Sequence, residues 1–414
     1  KSIFALASAL MLTACSSDEP FVGDDPNGGS QEGEGVYMGL TIQMPGANGS
    51  RSQTVTPGQS TDGNEVGKDY ENNVDNVIIV LAQKGTNAFI VAGEVSNSKL
   101  SPIASENAYK TVAKIEKTKL NTYYNKSDFN RDVNVFVFCN PTNEIRNLLT
   151  SAELDNIEWL QDITNVSSDM TTIANTANKG SFVMANFAIA QRTLPASIDD
   201  WDLYKTENTA FNLSGMNNAG TDKQVDNSQS TANPDGGAVK VERLASRFDF
   251  MDGSPLAAVN PDKAYTYNVV MQADGKTPLI QVQIGKMQLV NISKSLYSLR
   301  RVSANGLDAN AVICGAETPT NYVVGPNAAI FNNTDFASFT PATYFYNPFF
   351  DATGRMNYNN FMSGATNVAE YFGNATDDNY EKGTYKIWRY AVENVIPTDP
   401  SNQQNGISTG VVFK

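Results

Sequence analysis

Histidine is absent from all 414 residues. Without an imidazole there is no Ser-His-Asp or Cys-His nucleophile and no His-ligated zinc, because each needs the ring as base or ligand. Cysteine is nearly absent: Cys15, Cys139 and Cys314 are too few and too scattered for a disulfide framework or a CxxC centre. Cys139 closes the apolar run VNVFVFC and Cys314 follows Ala-Val-Ile, so both read as small hydrophobes at strand ends. Charge is sparse, at 18% of residues, and 44 acidic against 30 basic residues leave a net charge of −14. That balance argues against a nucleic-acid partner, since phosphate contacts need clustered Lys and Arg, and points to protein or glycan instead. At this length the chain suits two domains with ample cores, and its Asn, Thr, Ser and Gly content is that of exported β-rich proteins.

Near the front, the apolar run Ile3 to Leu12 is too short to span a bilayer but suits the core of a signal peptide. Leu12-Thr13-Ala14-Cys15 follows and looks like a bacterial lipobox, in which the cysteine becomes the acylated N-terminus. No apolar sequence comes next for a buried cysteine to pack against. Instead Ser16 to Gly35 is an acidic, Gly-rich tether, and acidic residues directly after the lipid cysteine resemble a surface-export signal of Bacteroidetes lipoproteins. The sequence opens on Lys1 without an initiator methionine, which reads as trimming at the front.

The stretch VYMGLTIQMPGANGSRS, Val36 to Ser52, holds one alternating strand and then a small-residue loop with Arg51 at its tip. Val36, Met38, Leu40, Ile42 and Met44 lie on one face, the pattern of a strand covering a core. Beyond it the signals remain β. Val77 to Ala82 and Ala88 to Val95 pair across a turn at 84–87, Tyr109 to Glu116 alternates, and Val133 to Cys139 is a buried strand. Ile145, Leu148, Leu149 and Ala152 mark one helix, and Thr150 with Glu153 predicts a capping box for a second, reaching Leu160. Strands resume at Phe182 to Ile189 and near Ala210 to Leu213. Ser214 to Gly237 has almost no large apolar residue and reads as a linker at a domain boundary. Ala238 to Met251 then opens a second body as an interrupted strand, followed by Tyr265 to Met271, Leu279 to Ile284, a bulge at Gly285 and Met287 to Ile292. Residues 325–383 predict long loops with short helices, Thr384 to Ala391 is a strand, and Gly410 to Lys414 stops in mid-strand. No repeat emerges, and two successive β-sandwich bodies with minor helix cover these signals best.

Candidate chemistry is thin. Ser96-Asn97-Ser98-Lys99 matches SxxK without its partner motifs. Asp274-Gly275-Lys276-Thr277 resembles the end of a P-loop but lacks the first glycine, where Val270 stands, and reads as a hairpin turn. Asp199-Asp200 and Asp377-Asp378 are carboxylate pairs, yet neighbours on a loop point apart, and no spacing resembles an EF-hand. The aromatics of Tyr344 to Phe350 suit sugar stacking or, more simply, their own core. No catalytic, cofactor-binding or metal-ligating residue is assigned, no cofactor is expected, and the chain reads as a non-enzyme.

Taken in series, the lipobox, the strand ending in MPGANGSR, the VIIVLA strand, VKVERLASRFDF, and WRYAVENV followed by GISTGVVFK resemble the Bacteroidales fimbrillins, the FimA/Mfa-type subunits of type V pili, along essentially the whole chain. The resemblance implies an all-β fold of two tandem transthyretin-like β-sandwich domains. It implies a signal peptide over 1–15 with lipidation at Cys15, a tether over 16–35, a first domain over 36–236 whose strand 36–51 is removable, and a second domain over 237–414. It also implies cleavage between Arg51 and Ser52 by an arginine-specific protease, an outer-membrane lipid anchor before processing, and assembly with other fimbrial subunits by donor-strand exchange. Family members continue past GVVFK, so further strands of the second domain are expected beyond Lys414. The competing expectation is a non-polymerising surface lipoprotein that binds glycan.

Overall fold

The most apolar runs become the middle of one open sheet. In the computed structural model the described residues are 35–45, 53–54, 63–64, 71–96, 100–103, 107–161, 163–165, 182–217, 224–254, 264–307, 311–315, 321–328, 340–351, 353, 355–373, 386–394 and 408–414. Cys15, Arg51, Ser52 and the tether before Gly35 lie outside them. The elements of the first half are β1 (Gly35–Gln43), β2 (Asn76–Gln83), β3 (Phe89–Ser96), β4 (Leu100–Ile103), β5 (Ala108–Glu116), α1 (Lys117–Tyr124), β6 (Asp132–Cys139), α2 (Asn143–Ser151), β7 (Met184–Asn186), β8 (Ala190–Thr193), β9 (Phe211–Asn212) and β10 (Val239–Arg243). They build a 10-stranded sheet in the order β3-β2-β6-β7-β10-β1-β5-β4, with β8 added to β6 and β9 to β1.

VIIVLA and, past Asn134, VFVFC are apolar at successive positions because both faces of β2 and β6 are covered. Val77, Ile79, Leu81, Val135 and Val137 enter a core shared with β1 and β5. Ile78, Val80, Phe136 and Phe138 enter a second core with Ile145 and Leu149 of α2 and with Leu296 and Val392 of the later half. The two ends of the sheet meet across the first core. A Cβ at Gly93 of β3 would lie 2.8 Å from Ile115 Cγ2 and 2.9 Å from the Lys114 carbonyl oxygen of β5. Backbone cannot yield as a side-chain tip can, so Gly93→Ala is expected to lower stability by about 1–3 kcal/mol. Thermal unfolding against Gly253→Ala, where an added Cβ meets nothing within 4 Å, checks it; equal melting temperatures would mean that the layers are not so closely apposed.

α2 begins where the periodicity places it, with the Thr142 hydroxyl accepting from the Ile145 amide at 3.4 Å. The capping box expected at Thr150 does not form: that hydroxyl donates to the Asn147 carbonyl inside the last turn of α2, and only a 3-10 turn, Glu158–Gln161, follows. α1 carries too few apolar residues to show as a helix in sequence, burying only Leu120 and Tyr123.

The described parts of 214–237 are not a bare linker. Asn217 and Asn227 are buried, and Val225 joins the first core. The buried Arg192 guanidinium donates to the carbonyls of Leu213, Asp235 at 2.6 Å and Gly237 at 2.7 Å. Desolvation lowers its pKa to about 10, against the pull of Asp235, so the group stays charged at neutral pH. Main-chain carbonyls here satisfy an arginine, which composition cannot reveal. The chain then re-enters the first sheet, since β10 pairs with β1 and β7. The strand expected from Ala238 thus lies in the first sheet, and pairing outside that sheet resumes at Ala245.

The later half contains β11 (Ala245–Phe250), β12 (Thr266–Met271), β13 (Pro278–Gln283), β14 (Lys286–Val290), β15 (Lys386–Val392) and β16 (Gly410–Phe413). β11 pairs with β15 through a bulge at Phe248/Asp249. β12 and β13 form an exposed hairpin, turning where Asp274 accepts from Lys276 and Thr277, and β14 pairs with β16. Short helices Pro341–Tyr344, Tyr358–Ser363 and Val368–Phe372 occupy the Asn- and aromatic-rich region. The fold is all-β with minor helix.

Candidate functional site

β1 lies inside the sheet, with partners on both edges. Its expected inward residues are enclosed: Val36 0%, Met38 0%, Leu40 3%, Ile42 0% and Met44 2% exposed. Each belongs to the first core, beside Val241 of β10 and Ala113 of β5. The five residues named from alternation are thus brought together as one continuous apolar ridge.

The two edges of β1 differ. Toward β5 the antiparallel register runs unbroken through nine pairs, Gly35↔Glu116 to Gln43↔Ala108. Toward the other side the contacts are piecemeal and parallel: Met38↔Phe211 and Gly39↔Asn212, then Ile42↔Val239 and Gln43↔Lys240. Single bonds fill the gaps. The Tyr37 amide donates to the Tyr204 carbonyl at 2.8 Å, the Leu213 amide to the Gly39 carbonyl at 2.7 Å, and the Thr41 amide to the Ser214 hydroxyl at 3.0 Å. At the strand's end the Met44 amide donates to the Asn107 carbonyl at 3.0 Å. Asn107 returns a side-chain bond to the Pro45 carbonyl at 3.1 Å, from a left-handed backbone with φ 49°.

Alternation identified the ridge but not what encloses it. Tyr204, Ala210 to Ser214, Asn107 and Arg192 had no signal beyond an Asn suited to a left-handed turn and a short strand near Ala210. Arg51, the intended cleavage point, and Cys15, the intended lipid site, lie outside the described residues.

Of the other candidates, Asp377-Asp378 and residues 97–99 of the SxxK match lie outside the described residues, and the rest resolve into structure. The Asp200 carboxylate accepts the Ser197 amide at 3.1 Å and caps a turn, while Asp199 is exposed. Phe345 is buried at 1% exposure, Phe349 stands edge-on to Phe350, and Lys294 covers the Tyr346 ring at 5.0 Å. Cys139 and Cys314 are both free thiols and buried, and burial pushes the Cys139 thiol up to about 12. Among the described residues no cluster of His, Cys, Asp or Glu could hold a metal, and no helix is long and apolar enough to cross a membrane.

The geometry defines an all-β protein with an enclosed first strand that is paired on both edges. No family model matches the chain, and no curated protein matches it. Among solved structures it is similar to a candidate cell adhesion protein from Parabacteroides distasonis, with TM-score 0.34 and 10% identity over 64% of this chain and 51% of that one. It is also similar to the tip fimbrial protein Mfa3 from Porphyromonas gingivalis with C-terminal truncation, with TM-score 0.32 and 12% identity over 70% of this chain and 68% of that one. A fimbrial assembly protein from Parabacteroides distasonis gives TM-score 0.32 and 9% identity over 70% and 77%. The chain spans about half the length of the first of these. Likeness so distant assigns no residue a role.

Proposed function

We propose that this chain is a structural subunit of a cell-surface fimbria, exported as a lipoprotein on Cys15, processed between Arg51 and Ser52, and assembled by donor-strand exchange in the service of adhesion. The observation that carries it is the placement of β1: a strand buried on its apolar face and paired on both edges, with Arg51 eight residues after its end in sequence. Losing such a strand bares an apolar groove between two rows of unpaired backbone groups, which a strand from another chain satisfies. The chain's partners on this reading are other fimbrial subunits, the outer membrane through the lipid, and an arginine-specific protease.

The glycan-binding alternative needs free aromatic faces. It draws little support from 344–350, where Lys294 covers Tyr346 and the phenylalanines pack among themselves. Electron microscopy for filaments beside a glycan array separates the two.

The anchor is tested on its own. Because a thiol accepts the diacylglycerol and two or more acyl chains give stable attachment, Cys15→Ala should abolish labelling with a radioactive fatty acid and keep the precursor from the surface. Unchanged acyl labelling would remove the lipoprotein reading while leaving the groove intact.

A further inference from the structure

We propose that the groove of β1 selects its occupant at the register of Gly39, floored by β5 and bounded by a clasp, Tyr204–Ser214: it admits a strand with alternating large apolar residues and no Cβ at the place of Gly39, and the clasp is the edge that opens first. This rests on the replaceable-strand reading and adds what the incoming strand must look like.

Gly39 belongs to the outward face of β1, yet it is buried. A Cβ there would lie 3.0 Å from the Thr111 carbonyl oxygen, 3.3 Å from Val112 Cγ2 and 3.8 Å from Ala210 Cβ. The first two of these atoms belong to β5 and are closer than a Cβ ordinarily comes, the first being backbone, while Ala210 of the clasp stands at ordinary contact distance; β5 therefore sets the exclusion and the clasp bounds the site at this one register. Tyr37, Thr41 and Gln43 on the same face are only half-buried, so the restriction is local.

The clasp sits on a rigid base. Phe211 and Trp201 are fully buried, with ring centroids 5.3 Å apart, and Tyr204 closes the cluster at 5.1 Å from Phe211. Trp201 Nε1 donates to the Tyr124 hydroxyl of α1 at 3.0 Å, and Arg192 holds the Leu213 carbonyl. Its grip on β1 is short by comparison: two register pairs and three single bonds, one of them to the Ser214 side chain, against nine continuous pairs along β5. Broken ladders open at lower free energy than continuous ones. Backbone groups alternate in direction along a strand, so the amides of Tyr37 and Thr41 report the clasp edge and those of Met38, Leu40 and Ile42 report the β5 edge.

Two measurements test this. The full chain, cut after Arg51 and stripped of its first strand in mild denaturant, is titrated by fluorescence anisotropy with labelled peptides of residues 36–44. The native peptide and its Thr41→Val form are expected to bind within about threefold of each other, and the Gly39→Val form roughly tenfold or more weakly. In the uncut chain, hydrogen exchange at Tyr37, Thr41 and Leu213 is expected to run roughly tenfold or more faster than at Met38, Leu40 and Ile42. Equal affinity for all three peptides overturns the selection at Gly39, and equal exchange at both edges overturns the clasp as the edge that opens first. Failure of every peptide to bind, with the exchange asymmetry present, overturns the replaceable strand itself and the selection with it.

Discussion

Arg51→Ala will keep the protein monomeric under conditions in which the wild-type chain, treated with an arginine-specific protease, forms polymers. Five ridge side chains, Val36, Met38, Leu40, Ile42 and Met44, are almost wholly removed from water in the intact chain. At about 1.5–3 kcal/mol each their burial amounts to roughly 7–15 kcal/mol as an upper bound, comparable to the whole stability of an ordinary domain. Backbone partners on β5, β9 and β10 would be stranded as well. A processed subunit with an empty groove therefore has two outcomes, loss of structure or capture of another strand, and only capture yields a stable product. Keeping the loop uncut keeps the original strand at high effective concentration, which no second chain can match at micromolar levels. Size-exclusion chromatography with light scattering, before and after protease, reads the result. Peptide mass mapping of filaments is the sharper check: filaments that retain Val36 to Met44 would defeat strand exchange, even if the protein still polymerised.

Strand character and facing were legible where the pattern was regular. Strict alternation from Val36 to Met44 gave the face of β1, and apolar runs at 77–82 and 133–139, the latter broken only by Asn134, gave strands covered on both sides. What enclosed β1 was not legible, because those contacts are made by main-chain atoms and by irregular backbone. Tyr204 contributes a carbonyl, Leu213 an amide, Ser214 a hydroxyl and Asn107 a left-handed turn, and none of these roles demands a patterned residue. The order within the described parts of 214–237 was illegible for a related reason. Residues 224–237 are polar in composition, and their order comes from Arg192 and Asn227 bonding to carbonyls, a use of polar groups that a hydropathy reading counts as solvent exposure. β10 is the costliest consequence: five residues assigned to the second body complete the first sheet.

Arg300→Met is expected to destabilise the protein by about 3–5 kcal/mol, lowering the melting temperature on the order of 10 °C, and the double variant Glu242→Leu/Arg300→Met is expected to recover most of that loss. Glu242 lies on β10 and Arg300 in the later half. Their side chains pair at 3.3 Å with 0% exposure on both. The arginine also donates to the Phe187 carbonyl at 2.7 Å and lies over the Phe187 ring at 4.8 Å, so it ties the later half to the first sheet next to the strand that flanks β1. Deleting the cation leaves a carboxylate in a site closed to water, where the desolvation penalty far exceeds the worth of any single surface ion pair. Deleting both charges removes that penalty and substitutes apolar volume, which is why the double variant separates a stranded charge from lost packing. Denaturant unfolding of the wild type, the two single variants and the double gives the coupling directly. Single variants within about 1 kcal/mol of wild type would show that water reaches the pair and that other contacts hold the two halves together, among them the apolar contacts of Leu296, Leu299 and Val392 and the buried Arg247–Glu71 ion pair.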